Sequence, residues 1–419
     1  MMFSADGMFL PKPRLFKRQS FNFLASFHPQ KSAPKPPHLP LLADKCTSMN
    51  QLKQIHAQMI VSDRIHDDYA ASRIISFCAL SDSGDLNYAL KVFNTTRAPN
   101  SFMFNTMIRA QASSSNPFEA IILYIKMRKL GLIPGKYTFP FVLKACINCC
   151  SLNPSKQIHA DVVKFGLELD MYIVNGLIRC YCICGDMGAA RKLFEEVPEW
   201  KLLIWTAIIS GYARNFCSNE ALALFDQMLG QGVEPDAATL SSVLSACARS
   251  GSLEMGKQVH VYIKEKRIEV GLILGTALVD MYAKNGEISV ARSLFDKMAE
   301  RNTASWNAMI CGLAVHGHAE EAFRLFQEMQ KAKIAPNYVT FVGVLSACCH
   351  AGLLEVGKEI FLSMKRVYGI EPGIEHYGCM VNLLGRGGKL AEAEELINGM
   401  LCEPDIVVLG ALLGACKDH

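Results

Sequence analysis

A set of apolar residues returns every 101 residues along this chain, and no other feature constrains the fold as strongly. Within residues 303–337, apolar side chains recur three and four residues apart on both sides of Gly317, and Pro336 follows. This spacing places them on one face of each of two short helices, which a glycine and a proline would end. Because neither helix can bury its apolar face alone, the period predicts an array of stacked repeats. The positions that best mark the period are Trp306, Trp205 and Phe104 in the first helix and Met329, Met228 and Met127 in the second.

Each 101-residue period divides into predicted helix pairs of 35, 35 and 31 residues. The pairs are predicted over residues 33–67, 68–100, 101–135, 136–170, 171–201, 202–236, 237–271, 272–302, 303–337, 338–373 and 374–405. The first pair is degenerate and overlaps a proline-rich linker. The predicted array therefore occupies residues 33–405, and residues 406–419 begin one more helix.

Charge is distributed unevenly along the chain. Residues 1–40 contain six basic residues and one acidic residue, and they are rich in Phe, Ser and Pro. This composition is typical of an organelle transit peptide followed by a linker, and the alternative is a disordered basic tail. The rest of the chain is nearly neutral, so its net charge does not by itself indicate a nucleic-acid partner. The apolar run over residues 406–416 is too short to span a bilayer.

The cysteines follow the repeat and do not form a disulfide or metal-binding pattern. Cys146, Cys247 and Cys348 lie 101 residues apart within apolar helices, which indicates that they are reduced thiols used in packing. Residues 180–184 hold three cysteines on one predicted helix, at a spacing that does not converge on one ion. No metal site and no cofactor are predicted.

Several segments of the chain are distinctive: SWNAMICGLAVHGHAEEAFRLFQEM, TFVGVLSACCHAGLLEVGKEIF, HYGCMVNLLGRGGKLAEAEELI and the KQIHA and KQVHV elements. With these segments the chain resembles plant pentatricopeptide repeat proteins of the PLS subclass, in which motifs of 35, 35 to 36 and 31 to 32 residues alternate. The tetratricopeptide repeat fits less well because it keeps a uniform period of about 34 residues. The resemblance covers about residues 33–419. It implies an all-α fold, a right-handed superhelical α-solenoid of about eleven helix-turn-helix repeats.

The resemblance also implies that the first helices bind single-stranded RNA, with one base facing each repeat. In this family the fifth and the last residue of a motif read the base. Thr206 with Asp236 resembles a pair that reads guanine, and a carboxylate suits the donors on the guanine edge. The other positions carried over are Thr276 with Asn302 for adenine, Asn307 with Asn337 for a pyrimidine, Ser72 with Asn100 for adenine, and the polar fifth residues Asn105 and Asn175. The implied target is 5′-A-n-n-n-G-n-A-Y-3′.

A purely structural interpretation competes with RNA contact at every one of these positions. Asn or Thr near a helix start commonly caps the helix, and Asn or Asp after proline commonly forms a turn. The recurrence of polar residues at both positions favours RNA contact.

Catalysis is not predicted. Residues 318–320, His-Ala-Glu, imitate the first half of the zinc signature of cytidine deaminases, but no Pro-Cys-x-x-Cys follows them. The chain is therefore interpreted as a binding protein and not as an enzyme.

The favoured hypothesis is a sequence-specific RNA-binding protein of a plant organelle, the mitochondrion in preference to the chloroplast, that selects sites for C-to-U RNA editing. A DYW-type deaminase or another editing factor would act in trans, and no membrane partner is predicted. Two alternatives stay open: an organellar factor for RNA stability, splicing or translation, and a protein-binding α-solenoid scaffold.

Residues 406–419 resemble the opening of the E-type extension that follows the repeats of editing factors, with Leu409 in place of the usual Trp. The chain is therefore expected to be a truncated version of an editing factor, or to be completed by another protein at this apolar edge. The helix is expected either to dock on residues 374–405 or to fray.

Overall fold

The computed structural model describes residues 39–62, 67–400 and 403–418, and every regular element in these ranges is an α-helix. The first ten helices are α1 Leu39–Ala43, α2 Met49–Val61, α3 Asp68–Leu80, α4 Leu86–Thr95, α5 Ser101–Gln111, α6 Phe118–Lys129, α7 Phe139–Cys149, α8 Leu152–Lys164, α9 Met171–Ile183 and α10 Met187–Glu196. The others are α11 Leu202–Arg214, α12 Ser218–Gly230, α13 Ala237–Ser250, α14 Leu253–Glu265, α15 Leu272–Lys284, α16 Ile288–Lys297, α17 Thr303–Val315, α18 Ala319–Lys331, α19 Tyr338–Ala351, α20 Leu354–Tyr368, α21 Ile374–Arg386, α22 Leu390–Asn398 and α23 Ile406–Asp418. Most of the predicted transit segment, residues 1–38, lies outside the described residues.

The pair α17–α18 shows why these segments form helices. Asn302 caps α17, because its side chain accepts a hydrogen bond from the backbone N–H of Ser305 at 3.0 Å. Trp306 and Met309 lie one turn apart and are buried on one face of the helix. Gly317 then adopts a left-handed conformation (φ +78°), which lets the chain reverse into α18. The buried face and the conformation of Gly317 agree with the sequence prediction.

Residues from Met107 onward form one unit in which the helices pack as stacked pairs. Each first helix contacts the next first helix, in the order α7, α9, α11, α13, α15, α17, α19, α21 and α23. From α8 to α22, each second helix packs against its own first helix and against the first helix of the following pair. The apolar core therefore continues from pair to pair, which is how an α-solenoid is built. The predicted all-α solenoid class is confirmed.

Residues up to Thr106 are grouped in a separate unit. Within this unit, α3 contacts α1, α2 and α4. The ring of Phe104 meets the ring of Phe93 edge to face, with 4.9 Å between the ring centres. The same edge-to-face pair, at the same 4.9 Å, occurs one and two periods later as Trp205 with Phe194 and Trp306 with Phe295.

Close approach of neighbouring first helices explains their small residues. Cys146, Cys247 and Cys348 are fully buried. Burial raises the pKa of Cys247 and of Cys348 to about 12, so both thiols are held neutral. A Cβ atom at Gly312 would lie 2.4 Å from the Cβ of Ala283, because α17 approaches α15 closely at this point. The cysteines accordingly serve as small apolar residues at a tight interface.

The KQIHA and KQVHV elements connect a second helix to the pair that follows it. His159 Nδ1 lies 2.9 Å from the hydroxyl of Tyr181, and His260 Nδ1 lies 2.9 Å from the hydroxyl of Tyr282. Burial lowers the pKa of His260, which favours its neutral form. Packing between adjacent pairs is therefore linked to the protonation of a buried imidazole.

Most first helices begin where the sequence places a motif start. These helices begin at Asp68, Ser101, Met171, Leu202, Ala237, Leu272, Thr303, Tyr338 and Ile374. Helix α7 begins at Phe139, three residues after its proposed motif start, because the hydroxyl of Thr138 accepts a hydrogen bond from Gly135 N at 3.1 Å and stabilises a turn. The division into motifs remains a proposal, because a helix start does not define where a repeat is cut.

Helix α23 docks on the preceding pair through part of its surface. Val408 is buried against Val381 and Leu384 of α21. Ile406 and Leu413 on the same helix expose 86% and 65% of their surface. Docking, and not fraying, is therefore what the structure shows. No helix among the described residues has both the length and the apolar character needed to cross a bilayer.

Candidate nucleic-acid interface

The predicted reading residues lie along the starts of the first helices. A fifth residue lies in the second turn of its own first helix, as Thr206 does on α11. A last residue lies directly before the next first helix, as Asp236 does at the N-cap of α13. Because α11 and α13 pack against each other, the two positions of this motif come close together.

Thr206 and Asp236 are joined through Thr239, the third residue of α13. Thr239 Oγ1 lies 2.8 Å from Thr206 Oγ1 and donates a hydrogen bond to Asp236 Oδ1 at 2.8 Å. The same carboxylate oxygen accepts a hydrogen bond from the backbone N–H of Thr239 at 2.8 Å, which caps the helix. Asp236 is exposed, and no described residue donates a hydrogen bond to its Oδ2. Capping and presentation of a carboxylate oxygen therefore occur together.

Asn307 and Asn337 contact each other directly. Asn307 Nδ2 donates a hydrogen bond to Asn337 Oδ1 at 2.9 Å. Thr340, the third residue of α19, donates to Asn307 Oδ1 at 2.6 Å and lies 3.1 Å from Asn337 Oδ1. Asn307 is only 6% exposed, whereas Asn337 is exposed. The pair therefore reaches solvent mainly through the Asn337 amide.

The other two complete pairs are not joined by a side-chain hydrogen bond in the described ranges. Thr276 Oγ1 is buried there without a hydrogen-bond partner. Ser72 donates to a backbone carbonyl of its own helix at 2.7 Å. Asn302 and Asn100 each accept from a backbone N–H three residues further on, at 3.0 and 3.1 Å. Asn302 and Asn100 therefore act as helix caps, and base reading at these two positions stays a prediction.

A cavity of about 610 Å³ lies between α9, α11 and α13, and Asn175 and Thr206 line it. The Oδ1 atom of Asn175 is buried and has no hydrogen-bond partner within the described part of the chain. Three arginines, Arg179, Arg214 and Arg249, also line this cavity. Hydrogen-bonding groups beside positive charge suit a nucleotide, which combines a polar base edge with a phosphate. Asn105, the remaining predicted residue, is half-buried on α5.

Sequence reasoning missed a row of basic residues in the last turn of the first helices. Each is exposed and occupies the thirteenth position of its motif: Arg214, Arg249, Lys284, His350 and Arg386. The signal was present as a basic residue at one position in five motifs, but the near-neutral composition of the array concealed it. Cations spaced in this way can follow a phosphate backbone.

A second missed set lies at the second position of the motifs. Large apolar side chains remain exposed there, namely Tyr137 at 67%, Tyr172 at 72%, Ile273 at 75% and Val339 at 47%. Side chains this exposed do not contribute to the core, and their recurrence next to the helix starts was the available signal. Exposed apolar and aromatic groups beside a polar pair can stack on nucleic-acid bases.

The residues that imitate a zinc signature do not form a metal site. His318 is the N-cap residue of α18, and Glu320 lies in the first turn of that helix. Cys180 and Cys182 are buried within α9. Within residues 39–62, 67–400 and 403–418, no group of three or more His, Cys, Asp or Glu side chains could hold a metal ion.

Comparison with known families and proteins decides the family. The family model described as PPR repeat matches residues 102–132, 172–202, 238–268, 276–303, 339–367 and 375–403, and the model described as PPR repeat family matches residues 201–249 and 301–350. A pentatricopeptide repeat-containing protein of Arabidopsis thaliana is 40% identical over 408 residues, which cover 89% of this chain and 77% of that protein. The chain belongs to the pentatricopeptide repeat family.

Two further pentatricopeptide repeat-containing proteins of Arabidopsis thaliana extend the comparison. One, named as chloroplastic, is 34% identical over an alignment that covers 100% of this chain and 74% of that protein. Another, named as chloroplastic/mitochondrial, is 42% identical, with 90% and 60% covered. The pentatricopeptide repeat chain thus spans between 60% and 77% of the length of these three relatives.

A solved structure supports the pentatricopeptide repeat fold of this chain. The crystal structure of the pentatricopeptide repeat protein PPR10 in complex with an 18-nt psaJ RNA element matches with a TM-score of 0.64. The match covers 88% of this chain and 56% of that chain, at 16% sequence identity. At this identity the similarity concerns the fold.

Proposed function

We propose that this pentatricopeptide repeat protein binds single-stranded RNA and reads individual bases with paired side chains. The observation that carries the proposal is the arrangement of Thr206, Thr239 and Asp236, which places a hydroxyl and a carboxylate side by side at one helix start. Guanine carries neighbouring N–H donors on its edge, and these two groups can accept from them. The proposed reading residues are Ser72, Asn100, Asn105, Asn175, Thr206, Asp236, Thr276, Asn302, Asn307 and Asn337.

Two further features of the surface support binding of a single strand. The exposed basic residues in the last turns of the first helices, such as Arg214 and Arg249, can neutralise phosphates. The exposed side chains of Tyr137 and Tyr172 at the second position can stack on bases that are not paired in a duplex. Phosphate contacts would hold the strand in place, while the paired residues would supply the sequence preference.

Within this function, the role we propose is site recognition for C-to-U RNA editing in a plant organelle. Support comes from the alternating motif lengths and from residues 406–419, which resemble parts of editing factors. The deaminase would be a separate protein, and this chain would act without catalysis of its own. Two relatives are named as chloroplastic or chloroplastic/mitochondrial, which supports an organellar location. The mitochondrion remains our preferred compartment, and a fluorescent fusion of residues 1–40 that stays in the cytosol would contradict any organelle.

Asp236→Asn tests base reading without loss of the helix cap. Asparagine and aspartate cap helices about equally well, so α13 should keep its start. Its amide would present an N–H donor where the carboxylate presented an acceptor, so preference at one base should change from guanine to adenine. The probes are synthetic RNAs of sequence 5′-ACCCXCAC-3′, with each of the four bases at X. We expect discrimination of about 1–3 kcal/mol between G and A at X, with opposite sign in the variant.

Asp170→Asn is the matched control. Asp170 also caps a first helix, α9, by accepting hydrogen bonds from backbone N–H groups at 3.0 and 3.2 Å. The fifth residue of its motif is Pro140, which has no side-chain hydrogen-bonding group to complete a pair. This variant should therefore leave the preference at X unchanged. Equal loss of affinity for all four RNAs in Asp236→Asn, or no change, would show that Asp236 is only a capping residue.

A further inference from the structure

The third residue of a first helix can lie beneath the reading pair of the preceding motif. Thr239 on α13 and Thr340 on α19 hold this position, and both side chains are fully buried. Each hydroxyl lies within hydrogen-bonding distance of both members of a pair that ends just before its own helix. Neither residue can touch RNA, so any effect on recognition has to pass through the pair above it.

The acceptors around the first pair limit where its hydroxyl protons can point. A carboxylate only accepts hydrogen bonds, so the Thr239 hydroxyl proton points to Asp236 Oδ1 at 2.8 Å. The 2.8 Å contact between Thr239 Oγ1 and Thr206 Oγ1 then needs the Thr206 proton. The other acceptor within reach of Thr206 is the carbonyl of Leu202 at 2.9 Å, which would occupy the same single proton. In either case, Thr206 offers only lone pairs to a ligand, and Asp236 offers only lone pairs as well.

The second pair is arranged with the opposite polarity. Thr340 donates to Asn307 Oδ1 at 2.6 Å, which turns the Asn307 amide nitrogen toward Asn337 Oδ1 at 2.9 Å. Asn337 Oδ1 also accepts from the backbone N–H of Thr340 at 3.2 Å. The oxygens of both amides are therefore occupied within the protein. What remains for a ligand is the N–H group of Asn337, a donor.

A third pair shows what happens when the bridge is missing. Ser305 holds the equivalent buried position on α17, but its hydroxyl donates to the Asn302 carbonyl at 2.9 Å. It does not reach Thr276, whose Oγ1 is buried without a partner among the described residues. A hydroxyl at the third position is therefore not sufficient. The contact with the fifth residue is the distinguishing feature.

We propose that Thr239 and Thr340 are positioning residues that determine which hydrogen-bonding groups the preceding pair presents to a base. The inference rests on the proposed function of base reading. Thr239 holds the Thr206 hydroxyl beside the Asp236 carboxylate, so the two acceptors face the donors of guanine together. Thr340 makes the pair of Asn307 and Asn337 a donor pair, which suits the acceptor edge of a pyrimidine.

The experiment compares Thr239→Val and Thr340→Val, each of which keeps the side-chain shape and removes the hydroxyl. The full chain is titrated by fluorescence anisotropy with two sets of RNAs, 5′-ACCCXCAC-3′ and 5′-ACCCGCAX-3′, with each base at X. In the wild-type chain we expect about tenfold preference for G in the first set and for a pyrimidine in the second. Thr239→Val should reduce the first preference to below about threefold and leave the second intact. Thr340→Val should do the reverse.

Two controls separate positioning from stability. Thr239→Ser keeps the hydroxyl and should keep the preference for G. Ser305→Ala removes a buried hydroxyl at the same position and should lower the melting temperature without changing either preference. If Thr239→Val fails to fold in circular dichroism, Thr239→Ala replaces it and Thr340→Val tests the second set independently.

The outcomes distinguish this inference from the proposed function. A wild-type chain without base preference in either set would overturn both. A wild-type preference that survives in Thr239→Val and Thr340→Val would overturn the positioning role alone. An equal loss of affinity for all RNAs in both variants would also overturn it, because it would make the two threonines merely structural.

Discussion

Replacement of Trp306 would test how the apolar core is shared between neighbouring repeats. Trp306 is 4% exposed, and its ring centre lies 4.9 Å from that of Phe295. Its indole Nε1 is buried without a hydrogen-bond acceptor in the part of the chain that the structure describes. The residue therefore contributes apolar burial but also carries an unsatisfied donor, and the two effects oppose each other.

The size of each effect can be worked out from the position. Trp306→Ala removes the aromatic pair and leaves a cavity, so it should destabilise by about 3–5 kcal/mol. Trp306→Phe keeps a ring where Phe104 lies two periods earlier, 4.9 Å from Phe93. It should lose about 1–2 kcal/mol of apolar burial. It also removes an unsatisfied N–H group that costs about 1–3 kcal/mol. The Phe variant should therefore lie between about 1 kcal/mol less stable and about 2 kcal/mol more stable than the wild-type chain.

Hydrogen exchange read by mass spectrometry measures the free energy of opening helix by helix. Helix α17 packs against α15, α16, α18 and α19. Because repeats couple only to their neighbours, Trp306→Ala should reduce protection between Leu272 and Tyr368 and leave α7 unchanged. A uniform loss of protection along the chain would refute nearest-neighbour packing. If the Phe variant were as unstable as the Ala variant, the unsatisfied indole N–H would not be a significant cost in the wild-type chain.

Three further outcomes are expected. Gly312→Ala should lower the free energy of unfolding, measured in urea, by about 1–3 kcal/mol, because its Cβ would lie 2.4 Å from that of Ala283. Gly230→Ala has no neighbouring atom within 4 Å and should raise that free energy by about 0.5–1 kcal/mol. Equal effects of the two substitutions would contradict the close approach of α17 to α15. Burial lowers the folded-state pKa of His260 below its unfolded value of about 6.5, so the unfolded chain binds more protons and stability should fall as pH decreases below 6.5. His260→Gln should weaken that dependence, and identical urea midpoints at high and low pH in the wild-type chain would contradict it. Arg214→Gln should weaken binding to every RNA alike and lower the salt slope by about 1, whereas a loss confined to one base would assign Arg214 to reading.

The helix pairs were predictable because three signals in the sequence agree. Apolar spacing defines one face of a helix, and the 101-residue period repeats that face with the same residues, as with Trp205 and Trp306. Helix-terminating residues are the third signal, since Gly317 adopts the left-handed conformation expected of a residue that ends a helix. Agreement between periodicity, recurrence and turn chemistry made the all-α solenoid class accessible from the sequence.

The candidate site was only partly accessible in the same way. The proposed reading residues are polar residues at recurring positions, so a family resemblance can carry them over. Thr239 and Thr340 look like ordinary residues of an apolar helix start. Each contacts a residue 33 positions earlier in the chain, and that contact depends on how two successive first helices align. The row of basic residues at the ends of the first helices is present in the sequence. It is not apparent from the net charge, because acidic residues elsewhere in the array balance it.

Under the proposed function, the buried threonines would also change which residues together recognise one base. The fifth residue belongs to one first helix, whereas the last residue caps the next helix and the bridging hydroxyl lies within that next helix. The groups that a pair presents to a base are therefore set across a motif boundary.

Where the bridge forms, as beneath Thr206 and Asn307, the fifth side chain is already held in one orientation before RNA arrives. Less ordering remains to be done on binding, which favours affinity as well as selectivity. Where Ser305 leaves Thr276 without that contact, the same two reading residues define a less constrained pair. Under the proposed function, base preference in such an array would therefore depend on three residues contributed by two consecutive repeats.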